Sequence, residues 1–240
     1  MPSILITGAS SGIGAATARL FLAEGWTVGL LARRAAALAE VADGHPNAHV
    51  LPADVTDATA VAEATDGFAD AAGRLDVLFN NAGVFVPAAA IDEIALDDWH
   101  AAVDVNLTGM FLAARAAFGR MRAQGGGRIV NNGSISAHVP RPGAVSYTVT
   151  KHAITGLTRQ LALDGRPLGI ACGQIDIGNA RTPMLESLDA AQRAAGDDGV
   201  AMMDVDDAAR SVLHMASLPP EANVLFMTVM ANAMPYVGRG

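Results

Sequence analysis

A tyrosine and a lysine four positions apart, Tyr147 and Lys151 in the stretch SYTVTKHA, are the residues whose spacing most clearly predicts chemistry. Residues i and i+4 of a helix share one face, so the phenol and the ammonium can reach the same point. A phenol with a pKa of about 10 is a weak acid at neutral pH, and a neighbouring ammonium favours the phenolate. The pair therefore predicts a proton donor whose pKa the lysine lowers. The alternative is a half-buried tyrosine beside a lysine whose stem covers apolar surface.

Three glycines in the stretch TGASSGIG join the first apolar run to the first helical segment. Gly8 would allow a tight turn, Gly12 would let the backbone approach a pyrophosphate, and Gly14 would let the helix pack closely on the strand. The N–H groups at the start of that helix would bind the phosphates. The arrangement predicts a dinucleotide site. The alternative is a plain glycine turn, because the spacing differs from the common G-x-G-x-x-G pattern.

The end of the second apolar run discriminates between the two nicotinamide cofactors. An NAD site places a carboxylate there for the ribose 2′-hydroxyl, whereas this run ends LLARR, with Ala32, Arg33 and Arg34. A guanidinium would bind a 2′-phosphate that a carboxylate would repel. The sequence predicts NADP, with NAD second, and assigns Arg33 to the phosphate and Arg34 as a candidate second contact. The alternative for either arginine is a solvated side chain.

Short β-rich runs alternate with alanine-rich helical segments along the chain. Such alternation indicates βαβ units and a parallel sheet covered on both faces. We predict an α/β fold, a single-domain Rossmann-like doubly wound parallel sheet of about seven strands over residues 1–240. The predicted strands are 3–7, 26–33, 48–55, 75–83, 126–134, 168–178 and 223–231. The predicted helices are 12–25, a segment ending at 41, 58–73, 96–122 and a segment from the Tyr147 motif to 164.

Residues 181–204 lie outside this alternation and predict an insertion over one edge of the sheet. Its methionines, Met184, Met202 and Met203, could form an adaptable apolar lid over substrate, or could equally be core or interface residues. Between Ser134 and Tyr147, His138 and Arg141 are candidates for lining a substrate pocket or for surface positions. His152 is expected to point away from the Tyr147 face.

Composition excludes several classes of function. The formal net charge of −8 argues against a nucleic-acid partner, because no basic stripe would offset phosphate repulsion. No run approaches the roughly 18 uninterrupted apolar residues of a membrane helix, and the N-terminus does not have the pattern of a signal peptide. A single cysteine, Cys172, excludes an internal disulfide and a cysteine-rich zinc site, and it is expected in the core. These features predict a cytoplasmic protein without a membrane partner.

The motifs, taken in order, resemble those of the short-chain dehydrogenases/reductases over essentially the full length. The matching stretches are TGASSGIG, ADV, NNAG, the Asn of VDVNLTGMF, Ser134 thirteen residues before Tyr147, and YTVTK. The resemblance implies a Rossmann-like domain, a nicotinamide cofactor and hydride transfer to or from a carbonyl carbon. It also implies a catalytic tetrad, which falls here on Asn106, Ser134, Tyr147 and Lys151. Ser134 would donate to or orient the carbonyl oxygen, and Asn106 would hold a water that connects Lys151 to solvent.

The resemblance places the cofactor along the same motifs. Asp54 would meet the adenine ring with Val55 beside it, and Asn80 would fix the strand end and contact the ribose region. Ile177 replaces the proline that most relatives have before Gly178, so the path of the nicotinamide loop, with Asn179 among its backbone contacts, departs from the family pattern. The implied cofactor residues are Gly8, Ser10, Ser11, Gly12, Ile13, Gly14, Arg33, Arg34, Asp54, Val55, Asn80, Ala82, Gly83, Tyr147, Lys151, Gly178, Ala180 and Thr182.

The function implied is an NADP(H)-dependent interconversion of a ketone or aldehyde with an alcohol, the substrate being a small carbonyl or alcohol. Reduction is the expected direction, and a homotetramer or homodimer is the expected assembly. A non-catalytic NADP-binding redox sensor and an enoyl reductase are the alternatives. The intact tetrad disfavours the sensor, and the four-residue spacing of tyrosine and lysine disfavours the enoyl reductase. The sequence does not identify the substrate.

Overall fold

A seven-stranded parallel sheet forms the centre of the fold in the computed structural model, which describes residues 1–194, 196 and 198–237. The strands are β1 Ser3–Thr7, β2 Thr27–Ala32, β3 Ala48–Pro52, β4 Val77–Asn80, β5 Gly127–Asn132, β6 Ile170–Ile177 and β7 Phe226–Val229. They lie in the order β3-β2-β1-β4-β5-β6-β7. The order reverses between β1 and β4, and in open sheets of this kind ligands bind beyond the carboxyl ends of the strands at that point.

Helices cover both faces of the sheet. The α-helices are α1 Gly12–Ala23, α2 Ala35–Ala42, α3 Ala58–Ala72, α4 Leu96–Val103, α5 Met110–Gln124, α6 Val145–Gly165, α7 Pro183–Ala194 and α8 Val205–Ala216. A π-helical turn, Asp104–Gly109, joins α4 to α5, and 3-10 turns occupy Ile135–Ala137 and Arg166–Leu168. One face of the sheet carries α1, α2 and α8, and the other carries α3, α5 and α6.

Side-chain alternation in the strands explains why both faces need helices. In β1, Ile4 and Ile6 belong to the buried cluster that contains Phe21 of α1, whereas Leu5 belongs to the cluster that contains Phe68 of α3. Successive residues of a strand point to opposite faces, so this strand is buried on both sides. The two clusters hold the sheet rigid, and the loops at its edge carry the polar residues.

The seven predicted strands and the predicted fold class are confirmed, with differences at the ends. The predicted strands 48–55 and 75–83 stop at Pro52 and Asn80, because the residues that follow leave the sheet for the loops of the site. The predicted helix 96–122 is continuous from Leu96 to Gln124, but it contains the π-helical turn.

Two features of the C-terminal third differ more. Helix α8 is absent from the prediction, although its apolar residues recur at helical spacing and Asp204 caps its first turn. The predicted insertion 181–204 contains α7, a helix that the sequence prediction treats as irregular.

The helical stretch Leu96–Gln124 is long and apolar enough to cross a membrane by length and composition alone. Its buried residues include Ala113, Ala117 and Met121, which lie in the cluster under the sheet. That packing identifies it as a core helix of the fold.

Candidate active site

The carboxyl ends of the strands bring the predicted motifs to one edge of the sheet. The glycine turn follows β1, the two arginines follow β2, Asp54 follows β3, the NNAG stretch follows β4, Ser134 follows β5 and Gly178 follows β6. Segments that are distant in sequence therefore meet because parallel strands end on the same side.

The glycine turn is tightly packed against the loop after β4. Gly8 has a φ of +67°, which disfavours a side chain, and a Cβ there would lie 2.9 Å from Ala82 Cα. A Cβ on Gly14 would overlap the carbonyl oxygen of Gly8. Asn81 donates from Nδ2 to Thr7 O at 2.9 Å, which ties the two loops together. The glycine turn and the NNAG loop are thus packed together as one unit at the end of β1 and β4.

The start of α1 has the features of an anion site. Gly12 has a φ of +54°, and a Cβ there would meet only the Thr182 side chain, at 3.2 Å. Within the described part of the chain, Ser11 does not cap α1 with its own side chain, and the first turn carries no acid. The first N–H groups of α1 therefore have no acceptor from Ser11, and an anion is the ligand that such N–H groups bind. We call the glycine turn and this helix start the cradle.

Both arginines after β2 reach toward this cradle. Arg34 donates from Nη2 to Ser10 Oγ of the glycine turn at 3.4 Å. Arg33 is largely exposed, and its Nη1 lies 4.0 Å from Asp54 Oδ2. The backbone N–H of Thr56 holds the pKa of Asp54 below its ordinary value, so this carboxylate stays charged beside Arg33. Two guanidinium groups and no carboxylate therefore follow β2, one beside Ser10 and the other beside Asp54.

Asn80 lies deeper than the other residues of its motif. Its Nδ2 donates to Met110 O at 2.7 Å and to Asn131 Oδ1 at 3.2 Å, and the side chain is buried. The amide therefore fixes the end of β4 against α5 and β5, as predicted. Its contact with a cofactor ribose stays a prediction.

The tetrad residues gather around the end of β5. Lys151 is 3% exposed, donates from Nζ to Asn132 O at 2.8 Å, and lies 5.5 Å from the centre of the Tyr147 ring. Ser134 follows β5 directly, and its Oγ accepts a hydrogen bond from Ser136 N at 3.1 Å. The i and i+4 residues of α6 thus share the face that meets the strand end.

Asn106 lies in the π-helical turn, where one extra residue turns its side chain toward the loop after β4. Its Oδ1 accepts from Val84 N at 2.7 Å, and its Nδ2 donates to Val84 O at 2.9 Å. These bonds assign the Asn106 amide to holding that loop. The water between Asn106 and Lys151 stays a prediction.

Burial, rather than the lysine, dominates the protonation of the tyrosine. Burial raises the pKa of the Tyr147 phenol, and the nearby Ser134 side chain and the charge of Arg141 oppose that change. Burial also lowers the pKa of Lys151 to about 8, against the attraction of Asp176. The prediction that the lysine lowers the tyrosine pKa is thus wrong for the protein alone, because desolvation of the phenolate costs more than these charges return.

Comparison with known proteins places the whole chain. A profile described as short chain dehydrogenase matches residues 2–193. The chain belongs to the short-chain dehydrogenase family. It is 32% identical over 240 residues to a serine 3-dehydrogenase of Agrobacterium fabrum, which covers 98% of this chain and 96% of the relative. It is 31% identical to a sulfoacetaldehyde reductase of Chromohalobacter salexigens, with 95% and 93% covered.

A solved structure agrees with this assignment. A short-chain type dehydrogenase/reductase from Mycobacterium marinum is 29% identical and superposes with a TM-score of 0.88 over 99% of this chain and 96% of that one. The protein is thus an oxidoreductase of the short-chain dehydrogenase family that acts on alcohol or ketone groups of small molecules, and the family uses nicotinamide cofactors.

This short-chain dehydrogenase also contains a buried carboxylate that the sequence analysis missed. Asp176 is fully buried at the end of β6. It accepts from Ser134 N at 2.9 Å, from Gln174 Nε2 at 2.7 Å and from His138 Nε2 at 2.8 Å. A carboxylate only accepts, so His138 carries its proton on Nε2. An acid inside the apolar run GQIDIG was the available signal, and its effect is to position Ser134.

An aromatic ring beside the tyrosine was missed as well. Phe85, in the loop after β4, stacks on Tyr147 with ring centres 4.1 Å apart and planes 20° apart. It is about half exposed, so it forms an apolar wall between the phenol and solvent. The residue follows NNAG by two positions, and no pattern in the sequence marks it.

A cavity of about 220 Å³ borders the 135–141 loop, which begins at the residue after Ser134. Ile135, Val139, Arg141 and Asn179 line it, together with residues of α7 and the C-terminal segment. Arg141 therefore lines a pocket, whereas His138 is held by Asp176 and His152 is exposed with Nδ1 2.9 Å from Thr148 O. Cys172 is buried in the core, as predicted.

The loop after β6 keeps a defined path in this dehydrogenase despite Ile177. Gly178 N donates to Val229 O at 2.8 Å. Ala180 forms a parallel bridge with Met203, through Met203 N to Asn179 O at 2.9 Å and Arg181 N to Met203 O at 2.8 Å. Strand β7 and the end of the insertion thus replace the proline in setting this loop. Met203 packs against the core, and Met184 is exposed.

Proposed function

We propose that this protein is an NADP(H)-dependent reductase that interconverts a ketone or aldehyde with its alcohol, using Tyr147 as proton donor. The observation that carries the proposal is the meeting of Tyr147, Lys151 and Ser134 at the end of β5, beside the glycine cradle. These are the groups that carbonyl reduction needs, since negative charge develops on the oxygen as hydride reaches the carbon.

The choice of NADP rests on the residues after β2. Arg34 bonds Ser10 of the glycine turn and Arg33 lies beside Asp54, so both guanidinium groups lie near residues predicted to bind the cofactor. Ala32 stands where an NAD site would place its carboxylate. A 2′-phosphate would receive charge-assisted hydrogen bonds from Arg33 and Arg34. Gly12 and Thr182 would hold the diphosphate, and the 178–182 loop the nicotinamide end.

The bound nicotinamide supplies the hydride that forms the new C–H bond. The residues of the chain handle the proton. As the C=O π bond breaks, Tyr147 Oη gives its proton to the carbonyl oxygen, and Ser134 Oγ orients that oxygen. The buried Lys151 ammonium stabilises the resulting phenolate. Its positive charge offsets part of the hydration energy that the phenolate loses on burial. Asn106 holds the loop that carries Phe85, which excludes water from the phenol.

The proton role is tested by Tyr147→Phe with NADPH and a panel of ketones, aldehydes and β-ketoesters. General acid catalysis contributes about 10²- to 10⁴-fold, so kcat should fall by at least that factor. NADPH titration of the same variant should give an unchanged Kd, which shows that the fold and the cradle survive. Turnover equal to the parent's would refute the assignment. A parent that reduces nothing in the panel, yet binds NADPH, would favour the redox sensor.

The cofactor choice is tested by Arg33→Ala. Loss of a charge-assisted hydrogen bond, worth about 1.5–3 kcal/mol, should weaken NADPH about 10- to 100-fold and leave NADH nearly unchanged. The matched control is Arg19→Ala, which removes an exposed guanidinium further along α1. Equal weakening of both cofactors would reject a 2′-phosphate contact.

A further inference from the structure

We propose that Arg141 is an anion-recognition residue that makes this enzyme selective for compact carbonyl substrates carrying a carboxylate or sulfonate. The inference rests on the proposed carbonyl reduction and adds the class of substrate. It starts from the cavity that Ile135, the neighbour of Ser134 in sequence, helps to line. Its walls are mainly apolar residues of the 135–141 loop, α7 and the 199–201 segment.

Arg141 is the charged residue among those that line this cavity. Asn179, Gln192 and Tyr236 supply the other polar groups. The described wall of this cavity contains one guanidinium and no carboxylate. The cavity is therefore locally positive, although the chain has a formal net charge of −8. Such a cavity attracts an anion and disfavours a cation.

Of the 14 arginines in the described part of the chain, six lie within 4.0 Å of a carboxylate and eight, Arg141 among them, do not. Arg120, Arg193 and Arg210 each contact a carboxylate within 2.9 Å. Across the residues that the structure describes, Arg141 lies within salt-bridge distance of no carboxylate, although it is partly buried. Asp189, which follows Leu188 of the cavity wall in sequence, is already bound by Arg193 Nε at 2.9 Å and by Val200 N. The guanidinium donors therefore remain available to a ligand.

The position of Arg141 joins this charge to the reaction centre. It lies on the loop between Ser134 and Tyr147, and its charge acts on the Tyr147 phenol, lowering the pKa of that group against the effect of burial. A substrate held by its anionic group at Arg141 would then present its carbonyl toward Ser134 and Tyr147. Guanidinium binds carboxylate and sulfonate through two parallel hydrogen bonds, which would also fix the orientation of the substrate.

The volume sets the size of the substrate. The cavity measures about 220 Å³, below the roughly 300–1,000 Å³ of sites that hold drug-sized ligands. It therefore suits an oxo acid or oxo sulfonate of a few carbons. Arg141 also borders a more open groove of about 310 Å³, which Ile91 and Val149 help to line.

The test compares an oxo acid with its own primary amide, which has nearly the same shape and no charge. We expect Arg141→Met to lower kcat/KM for the acid by about 10- to 100-fold, mostly through KM, because a charge-assisted pair is worth about 1.5–3 kcal/mol. The amide should change less than about threefold, and Arg141→Lys should recover part of the loss for the acid. The matched control, Arg19→Met, should leave both substrates unchanged.

A binding measurement separates this inference from the proposed function. With saturating NADP⁺, which occupies the phosphate cradle, propanesulfonate should raise the melting temperature of the parent and not that of Arg141→Met. If neither substrate turns over but this difference is present, the reductase proposal fails and the anion site stands. If the acid-to-amide ratio, or the shift with propanesulfonate, is the same in parent and Arg141→Met, the anion site is refuted.

Discussion

Lys151 is the single lysine of the chain, and its burial should be measurable as a stability cost. The pKa of its ammonium is lowered from 10.5 to about 8, mainly by desolvation. A base whose pKa is lower in the folded state binds fewer protons folded than unfolded between these two values. The cost is therefore fully present below pH 8, and it shrinks as the pH rises toward 10.5.

Replacement with methionine removes the charge and keeps a similar unbranched shape. From the two pKa values, the charge penalty is about 3 kcal/mol at pH 7 and about 1.4 kcal/mol at pH 9.5. Loss of the hydrogen bond to Asn132 O opposes the gain by about 1–3 kcal/mol, and this loss depends little on pH. The net gain in stability of Lys151→Met at pH 7 is thus small or moderate. The decrease in this gain from pH 7 to pH 9.5 is expected to be about 2 kcal/mol.

Urea denaturation of parent and Lys151→Met at both pH values, at equal protein concentration, measures this change. The unfolding free energy of the variant relative to the parent should fall by about 2 kcal/mol from pH 7 to pH 9.5. In parallel, ¹³C-labelled lysine gives one side-chain signal, which should titrate at about 8. A relative stability that is the same at both pH values, with the signal titrating above 10, would refute the claim that desolvation dominates this site.

Three further perturbations test other parts of the structure. Asp176→Asn should lower the free energy of unfolding, measured in urea, by about 2–4 kcal/mol, because an amide cannot accept from three donors at once. His138→Gln should lower it by less, and equal decreases would contradict this account. Gly14→Ala should weaken NADPH binding more than tenfold, measured by titration, because its Cβ would overlap Gly8 O. Gly119→Ala, with open space around it, should bind NADPH normally. Normal binding by both variants would show that the turn can shift to accept the extra methyl group. Burial raises the pKa of Cys172 to about 12, so iodoacetamide should label it, by mass spectrometry, only after unfolding; fast labelling of native protein would refute its place in the core.

Most of the fold could be predicted from the sequence because its strands are short apolar runs between helices. The rule that parallel strands end on the same side then predicts that the glycine turn, Ser134 and Tyr147 meet at one edge of the sheet. The protonation of Tyr147 could not be predicted, since it depends on how completely Phe85 and the loops exclude water. Asp176 was missed for a related reason: Ser134 and His138 reach it from the 134–138 loop after β5, and only the folded loop shows that contact. Its third partner, Gln174, lies in the same strand.

The bridge between Ala180 and Met203 closes the 181–202 segment into a loop whose two ends are held together by backbone bonds. Because those bonds involve no side chain of the enclosed residues, the segment can be treated as an exchangeable cassette. Grafting the equivalent of residues 183–202 from another member of the family, with Thr182 kept on Gly12, should alter which molecules enter the cavity while the sheet and the glycine turn stay as they are. Evolution could change the substrate selectivity of this enzyme by altering the same segment, since closing a longer loop costs only about 0.6 kcal/mol for each doubling of its length.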